Sequence, residues 1–393
     1  MVEPHPFDQI TADDLRAAGG MKWTRFGPDH LGAFVAEMDF GAAPPITEAL
    51  HGAVDRASFG YTAPAWREAM VEACAAWQRD AYGWEVPTER IHALPDVLTG
   101  LSVAIELYCK PDAPVILPTA AYMPFLSIPG ILGRETIEVP MVRDGDRWVY
   151  DLDGLDAAYR AGGDLLILCN PHNPLGRVMT REEMVAIAEV VDRHGGRVFS
   201  DEIHSPLTYP GHDHVPYASI SETTAAHTVT ATSASKAWNL PGLKCAQLLF
   251  SNDADAERWE DGGWWLGHGA SSLGIIANAA AYAEGKAWLD DVLGYLDGNR
   301  KLLGELLADH LPEVGYTPPE GTYLSWLDCR ALDLGMPAGE FFDTHAKVAL
   351  VDGLRCGPAG EGFARLNFAT PRPILREIVD RMAKAVHTAR AAA

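Results

Sequence analysis

The feature that most constrains the fold is an alternation of short, almost continuously apolar runs with longer amphipathic stretches, which begins near residue 46. The short runs are typical of buried strands, because successive residues are apolar rather than alternate ones. Five strands are predicted, at residues 115–117, 165–169, 197–200, 227–231 and 247–250. Residues 181–194 carry apolar side chains at helical spacing and end at two glycines, which predicts a helix. Strands separated by helices predict an α/β fold whose parallel sheet is covered on both faces.

The pattern changes after residue 285, where long helical stretches replace this alternation. Two long helices and two strands between them are predicted there, at residues 288–307, 374–391, 322–327 and 362–368. We therefore expect a large α/β domain over residues 46–285. A smaller α+β domain would be built from both chain ends, residues 1–45 and 286–393.

Charge and cysteine content limit the possible partners. The 393 residues include 31 Lys and Arg against 54 Asp and Glu, a formal net charge of −23. This charge disfavours binding to nucleic acid or to an anionic membrane surface, and an anionic ligand would need a locally positive site. Six scattered cysteines predict buried free thiols in a reducing compartment rather than a disulfide framework. No leader-like start and no long apolar run is found, so we expect a soluble cytoplasmic protein.

Three polar segments each follow a predicted strand, where α/β proteins bind ligands. Residues 169–177 contain two Asn-Pro steps and a glycine, a fixed turn that can aim an amide at a ligand. Asp201 and Glu202 end another strand, where a carboxylate could neutralise a cationic ring nitrogen, bind a metal or cap the next element. Lys236 stands alone in an uncharged stretch, and a desolvated lysine can form a Schiff base with an aldehyde. Taken alone, the three segments are more typical of a structural turn, of a strand-end cap and of a surface lysine, respectively.

Taken together, the three segments resemble the fold-type I pyridoxal-phosphate (PLP) enzymes of the aspartate aminotransferase superfamily. Within it, the chain looks most like the MalY/PatB group of cystathionine β-lyases and cysteine-S-conjugate β-lyases. Further matching segments are residues 34–40, 59–62, 319–326 and 362–368. The resemblance extends over residues 20–385 and implies the fold-type I architecture, a PLP cofactor, an amino-acid substrate and a homodimer that shares its active sites.

The resemblance implies a role for each catalytic and ring-binding residue. Lys236 would form the Schiff base with the cofactor and then move the substrate Cα proton. Asp201 would pair with the pyridine nitrogen and keep the ring an electron sink. Tyr122 would stack on the ring as a third catalytic residue, and Asn173 would bond the ring 3′-oxygen and contact the substrate. His204 stands where the superfamily usually has tyrosine.

The resemblance also implies a phosphate site and a substrate site. The phosphate would lie at the start of a helix over residues 101–108. The groups around it would be Val97, Leu98, Ser233, Lys244 and the partner subunit's Tyr61. Arg365 would bind the substrate carboxylate with its planar guanidinium, and Ala36 would lie beside it.

The chain departs from the group at four positions. Asp96, Met123, Pro241 and Cys356 stand where glycine, histidine, alanine and phenylalanine are expected. A carboxylate at position 96 disfavours a nearby phosphate unless it points away or caps the helix. Met123 and Cys356 are expected to border the substrate pocket, so these two departures leave open which leaving group the substrate carries.

Three histidines, His204, His212 and His214, raise the question of a metal site. No nearby Cys or acidic residue completes a compact ligand set, so we expect solvated loop histidines and no metal.

Three functions are compatible with these residues. The resemblance favours a lyase that releases a thiol, pyruvate and ammonia from cystathionine or another S-conjugate. An aminotransferase would use the same residues and release a keto acid. A non-catalytic PLP-binding regulator is disfavoured, because the chain retains Lys236 and has neither a basic patch nor an added DNA-binding domain.

Overall fold

The computed structural model describes residues 5–392, and a seven-stranded sheet forms its centre. In order across the sheet, the strands are Ile91–Leu94, Ala246–Phe250, Thr228–Thr232, Arg197–Asp201, Leu165–Cys169, Val115–Thr119 and Thr136–Pro140. All five predicted strands are present. The sheet is mostly parallel and the fold is the fold-type I architecture that the resemblance implies.

One strand runs antiparallel to its neighbours. Ala246–Phe250 is antiparallel to both of its neighbours, Thr228–Thr232 and Ile91–Leu94. A parallel neighbour would need a long crossover connection, usually a helix. Residues 233–245 contain only turns and the 3₁₀-helix Pro241–Leu243, so the chain turns back on itself. The sheet is therefore mostly parallel, as expected, with one antiparallel strand.

Helices cover the sheet. The α-helices are Ala12–Ala17, Met21–Thr24, Pro44–Asp55, Pro64–Tyr82, Val97–Val103, Met123–Ile131, Leu152–Arg160, Arg181–Arg193, Glu222–His227, Asp253–Arg258, Trp264–Leu266, Ser272–Glu284, Lys286–His310, Ala338–Phe341 and Arg372–Ala392. Local signals fix many ends: Thr180 and Glu183 form a capping box, and Gly83 ends its helix in the left-handed conformation. The predicted helix at residues 181–194 is confirmed.

The carboxyl half of the chain forms a second, antiparallel sheet. Its strands, in order, are Gly315–Tyr316, Leu324–Asp328, Phe363–Asn367 and Val351–Asp352. The predicted strand at residues 322–327 begins later, because Thr322 has a φ of 64° and cannot join the ladder. Two smaller pairs complete the strands: Leu31–Gly32 with Val348–Ala349, and Val142–Asp144 with Arg147–Val149. The proposed domain limits, residues 46–285 and the two chain ends, stay a prediction.

Burial and register position the functional residues. Four central strands, those beginning at Val115, Leu165, Thr228 and Ala246, are buried at every residue. Cys169 pairs with Asp201, so the ends of two parallel strands meet at one edge of the sheet. All six cysteines are buried and free, as predicted. None of the helices between residues 5 and 392 is long and apolar enough to cross a membrane.

Candidate active site

A cavity of about 170 Å³ lies at the carboxyl edge of the parallel strands and brings most of the predicted site residues together. The predicted residues that line it are Ala36, Val97, Leu98, Tyr122, Asn173, Asp201, His204, Ser233, Lys236 and Lys244. These residues come from six separate stretches of the chain, so the sheet topology, not proximity in sequence, builds the site. Arg365 adjoins the cavity through a hydrogen bond to Asn173.

Asp201 is a buried carboxyl at the end of the strand Arg197–Asp201. Its Oδ1 accepts a hydrogen bond from the Ile203 N–H at 3.0 Å. Burial raises the pKa of Asp201 to about 7 against the lowering effect of that bond, and the neighbouring Glu202 adds to the rise. A carboxyl in such a position favours a cationic partner, because the partner would replace the lost solvation.

Lys236 lies on the loop that follows the strand Thr228–Thr232, and its amine faces the cavity. Burial and the nearby Arg365 lower the pKa of Lys236 to about 8, which raises the share of the neutral, nucleophilic amine. The amine donates a hydrogen bond to the Ala36 carbonyl at 2.9 Å. The loop is anchored by fully buried Trp238, whose Nε1 donates to the Gly285 carbonyl at 2.9 Å.

Arg365 and Asn173 form a hydrogen-bonded pair at one side of the cavity. Arg365 Nη1 donates to Asn173 Oδ1 at 2.9 Å, and Nη2 donates to the Phe34 carbonyl at 2.8 Å. The guanidinium is buried, and among residues 5–392 its Nε has no hydrogen-bond partner. Burial lowers the pKa of Arg365. A buried guanidinium whose bonds go to neutral oxygens is costly on its own, so this pocket fits an anionic ligand.

Asp96 caps the helix Val97–Val103, which begins four residues earlier than the predicted start at residue 101. Asp96 Oδ1 accepts hydrogen bonds from Thr99 N at 2.8 Å and from Thr99 Oγ1 at 2.9 Å. Its Oδ2 forms an ion pair with Lys244 Nζ at 2.9 Å. The capping alternative stated for this residue is therefore confirmed, and Asp96 already binds the lysine expected to hold the phosphate.

The remaining predicted residues of this region also line the cavity. Ser233 Oγ donates to the Cys245 carbonyl at 2.7 Å and accepts from Ser235 N at 3.0 Å. Tyr122 is half-buried, and burial raises its pKa, so its hydroxyl stays protonated. Of the four departures, Pro241 lines the cavity, whereas Cys356 is fully buried and its carbonyl accepts the Ala121 N–H at 2.8 Å.

The expectation of solvated loop histidines was wrong for two of the three. His204 is buried in the cavity wall, and burial lowers its pKa well below the ordinary value, so its ring is neutral. His214 is buried against Glu202, with 3.0 Å between Nε2 and Oε2. His212 is half-buried, and across residues 5–392 no group of three or more potential metal ligands occurs.

Tyr61 lies outside the cavity of its own chain. Its side chain is 97% exposed and lines a separate surface depression with Phe59 and Trp264. The position is compatible with a contribution to a second subunit, which stays a prediction.

Sequence reasoning assigned no role to two residues that hold the site together. Tyr323 donates its hydroxyl to the Ala36 carbonyl, and Asn367 donates to the carbonyls of Val35 and Glu37. Both lie in segments that matched the β-lyase group, residues 319–326 and 362–368. The signal for Asn367 was its place two residues after Arg365 in a strand, which puts both side chains on one face.

Comparison with known proteins agrees with this geometry. Residues 36–382 match the family described as "Aminotransferase class I and II". Cystathionine β-lyase of Corynebacterium glutamicum is 38% identical over 376 residues, which cover 94% of this chain and 98% of the relative. Cystathionine β-lyase PatB of Bacillus subtilis (strain 168) is 33% identical over 374 residues, with 93% and 96% covered.

A solved structure shares the whole fold. Cystalysin from Treponema denticola, whose crystal structure contains pyridoxal 5′-phosphate, superimposes with a TM-score of 0.90 at 29% identity. The match covers 97% of this chain and 98% of cystalysin. The chain therefore belongs to the aminotransferase class I and II family, in the same group as PatB and the Corynebacterium cystathionine β-lyase.

Proposed function

We propose that the protein is a PLP-dependent carbon–sulfur β-lyase that cleaves cystathionine or another L-cysteine S-conjugate to a thiol, pyruvate and ammonia. The observation that carries the proposal is the placement of Lys236, Asp201 and Arg365 around one cavity. These side chains supply an amine with a lowered pKa, a buried carboxyl and a buried cation. The relatives named as cystathionine β-lyases make the lyase the preferred reaction.

The residues of the cavity fit pyridoxal phosphate at both of its ends. Asp201 has a desolvated carboxyl whose raised pKa calls for a cationic partner, and a protonated pyridine nitrogen is such a partner. At the other end, Ser233, Lys244 and the start of the helix Val97–Val103 supply hydroxyl, ammonium and N–H donors for a phosphate. When bound, the cofactor stabilises negative charge that develops at the substrate Cα.

The protein's own side chains bind the substrate, transfer protons and hold the charge of the ring nitrogen. Arg365 binds the α-carboxylate and thereby orients the amino acid in the cavity. Lys236 Nζ accepts the proton from Cα and can pass a proton to the departing sulfur, since a pKa of about 8 lets it act in both forms near neutral pH. Asp201 keeps positive charge on the pyridine nitrogen, and Tyr122 closes one wall of the cavity.

The proposal includes a homodimer in which Tyr61 reaches the phosphate site of the partner subunit. Large apolar side chains are exposed around it: Phe59 is 64%, Trp264 57% and Trp265 67% exposed. An exposed aromatic patch of this kind is typical of a surface that another protein covers. We also propose a cytoplasmic location, which the six buried free thiols support.

Substrate cleavage without an acceptor tests the proposed reaction. The PLP-loaded protein should release pyruvate and free thiol from cystathionine with no 2-oxo acid present, because elimination leaves no amino group on the cofactor. Lys236→Ala should abolish this turnover. Pyruvate and thiol are measured together over a panel of cysteine S-conjugates, with and without 2-oxo acids. Normal turnover by the alanine variant would contradict the role of Lys236, and strict dependence on a 2-oxo acid would indicate an aminotransferase.

A further inference from the structure

Residues 34–39, which we call the carbonyl strap, form neither helix nor strand. Five consecutive carbonyls of the strap, from Phe34 to Met38, accept hydrogen bonds from side chains. The donors, in order along the strap, are Arg365; Asn367; Lys236 with Tyr323; Asn367 with Lys22; and Asn239. Most buried carbonyls are bonded by other backbone groups. The shape of the strap is therefore set by side chains from distant parts of the chain.

Two of these donors belong to the proposed catalytic site. Lys236 Nζ lies 2.9 Å from the Ala36 carbonyl oxygen, and Arg365 Nη2 lies 2.8 Å from that of Phe34. Ala36 also lines the cavity. The strap thus lies directly against the amine and the guanidinium that an amino-acid substrate would engage, and its position defines the space between them.

The Ala36 carbonyl accepts hydrogen bonds from two side chains, of which only one can stay in place throughout the proposed reaction. Tyr323 Oη and Lys236 Nζ both lie 2.9 Å from it. Tyr323 is fully buried, and its hydroxyl has no catalytic task in the proposed reaction. Lys236 must leave the carbonyl whenever its amine takes part in cofactor binding or proton transfer. Tyr323 is then the remaining donor to Ala36.

Asn367 holds the strap on either side of Ala36. Its Nδ2 donates to the Val35 carbonyl at 2.7 Å and to the Glu37 carbonyl at 2.6 Å. Its Oδ1 accepts the Ala369 N–H at 2.7 Å, so the amide orientation is fixed, and the side chain is fully buried. Because Asn367 follows Arg365 by two residues in the strand Phe363–Asn367, one strand holds both the guanidinium and the strap.

We propose that Tyr323 and Asn367 are positioning residues that keep Ala36 in place for the amino-acid substrate after Lys236 has released its carbonyl. The proposal rests on the proposed function only in requiring an amino acid that binds at Lys236 and Arg365. It does not depend on whether a carbon–sulfur bond is then cleaved.

Binding of L-alanine tests the proposal, since this amino acid has the substrate head group but no thiolate leaving group. PLP-loaded Tyr323→Phe protein is titrated with L-alanine, and binding is followed by the cofactor absorbance. We expect the apparent Kd to rise about fivefold to tenfold, the effect of one lost buried hydrogen bond. PLP content should be unchanged, and with cystathionine KM should rise more than kcat falls.

Tyr108→Phe is the matched control. The Tyr108 hydroxyl is also buried and donates to a backbone carbonyl, that of Asp255, at 2.8 Å, outside the cavity and the strap. Tyr108→Phe should lose about as much thermal stability as Tyr323→Phe, but it should bind L-alanine with the affinity of the wild type. An unchanged Kd in Tyr323→Phe, or an equal rise in both variants, would overturn the proposal.

A second variant strengthens the test. Asn367→Asp keeps the acceptor for Ala369 N and removes both donors to the strap, so the Kd should rise more than tenfold. If this variant does not fold, the Tyr323→Phe and Tyr108→Phe comparison decides alone. Wild-type protein that binds L-alanine but releases no pyruvate from cystathionine or from any other cysteine S-conjugate of the panel would refute the lyase and leave the strap proposal standing.

Discussion

Lys236 and Asp201 face the same desolvated cavity, and burial moves their pKa values toward each other. Burial, with the charge of Arg365, lowers the pKa of Lys236 to about 8, and burial raises that of Asp201 to about 7. Each shift disfavours the charged form of the side chain. Without a ligand, the folded protein therefore carries an electrostatic cost at the residues that the reaction needs.

This cost predicts a pH-dependent gain of stability in Asp201→Asn protein freed of PLP. In the unfolded chain, the carboxyl ionises near its ordinary pKa of 3.8, whereas in the folded chain it keeps its proton up to about pH 7. Ionisation therefore destabilises the fold progressively from pH 4 to 7 and fully above pH 7. The asparagine variant should be more stable at pH 8 by on the order of 4 kcal/mol, with no difference below pH 4.

Chemical denaturation of both cofactor-free proteins across this pH range measures the difference. The same variant should lose at least about tenfold in lyase activity when loaded with PLP, because the pyridine nitrogen loses its anionic partner. A variant that is no more stable than wild type at pH 8 would contradict the electrostatic cost of the buried Asp201 carboxyl. A loss of lyase activity smaller than about tenfold would indicate that Asp201 has only a structural role.

At the scale of elements, the start of the helix Val97–Val103 combines two opposing requirements. Asp96 caps the helix N-terminus, yet its carboxylate also forms an ion pair with Lys244, which lies beside the proposed phosphate site. Asparagine caps a helix about as well as aspartate but carries no charge. Asp96→Asn should therefore tighten PLP binding about fivefold, which corresponds to about 1 kcal/mol for a partly exposed charge.

Fluorescence titration of the cofactor-free protein with PLP measures this affinity. Asp151→Asn is the control, because Asp151 caps the helix Leu152–Arg160 through Gly154 N at 3.0 Å and lies outside the cavity. The control should bind PLP as wild type does. Weaker PLP binding by Asp96→Asn would show that the carboxylate helps the site by orienting Lys244.

Strands were predictable from sequence where both faces are buried. The five predicted strands are central runs of apolar residues, whereas the two edge strands were missed. Ile91–Leu94 and Thr136–Pro140 are each only partly buried, so their residues do not form a continuous apolar run. The reversed direction of Ala246–Phe250 depends on a loop without a helix, and the early helix start depends on Asp96. Neither feature changes the hydrophobic pattern.

At the scale of the whole molecule, the sequence predicted the residues of the site better than their contacts. Lys236, Asp201 and Asn173 stand in polar segments that follow predicted strands, and Arg365 stands in residues 362–368, which match the β-lyase group. The strap contacts of Tyr323 and Asn367 join segments almost 300 residues or more apart in the chain, which no local pattern records. The burial of His214 likewise depends on Glu202, which was considered only as a strand-end acid.

The shared active site of the proposed dimer can be tested by complementation. Tyr61→Phe and Lys236→Ala proteins, each impaired, are mixed and allowed to exchange subunits. In a heterodimer, one site would carry both substitutions and the other neither, so up to about half of the heterodimer sites should recover activity. Absence of recovery after confirmed subunit exchange would place Tyr61 outside the partner's site.

The fate of the amino nitrogen tests the central claim, that these residues perform an elimination. The PLP-loaded protein is given cystathionine that carries ¹⁵N only on the amino group of its cysteine-derived half, together with excess 2-oxoglutarate, and the labelled products are followed by NMR. A β-lyase should release the label as ammonium, in equal amount to pyruvate and thiol, with none in glutamate. Label transferred to glutamate, with a keto acid that retains its sulfur, would contradict the account and identify an aminotransferase.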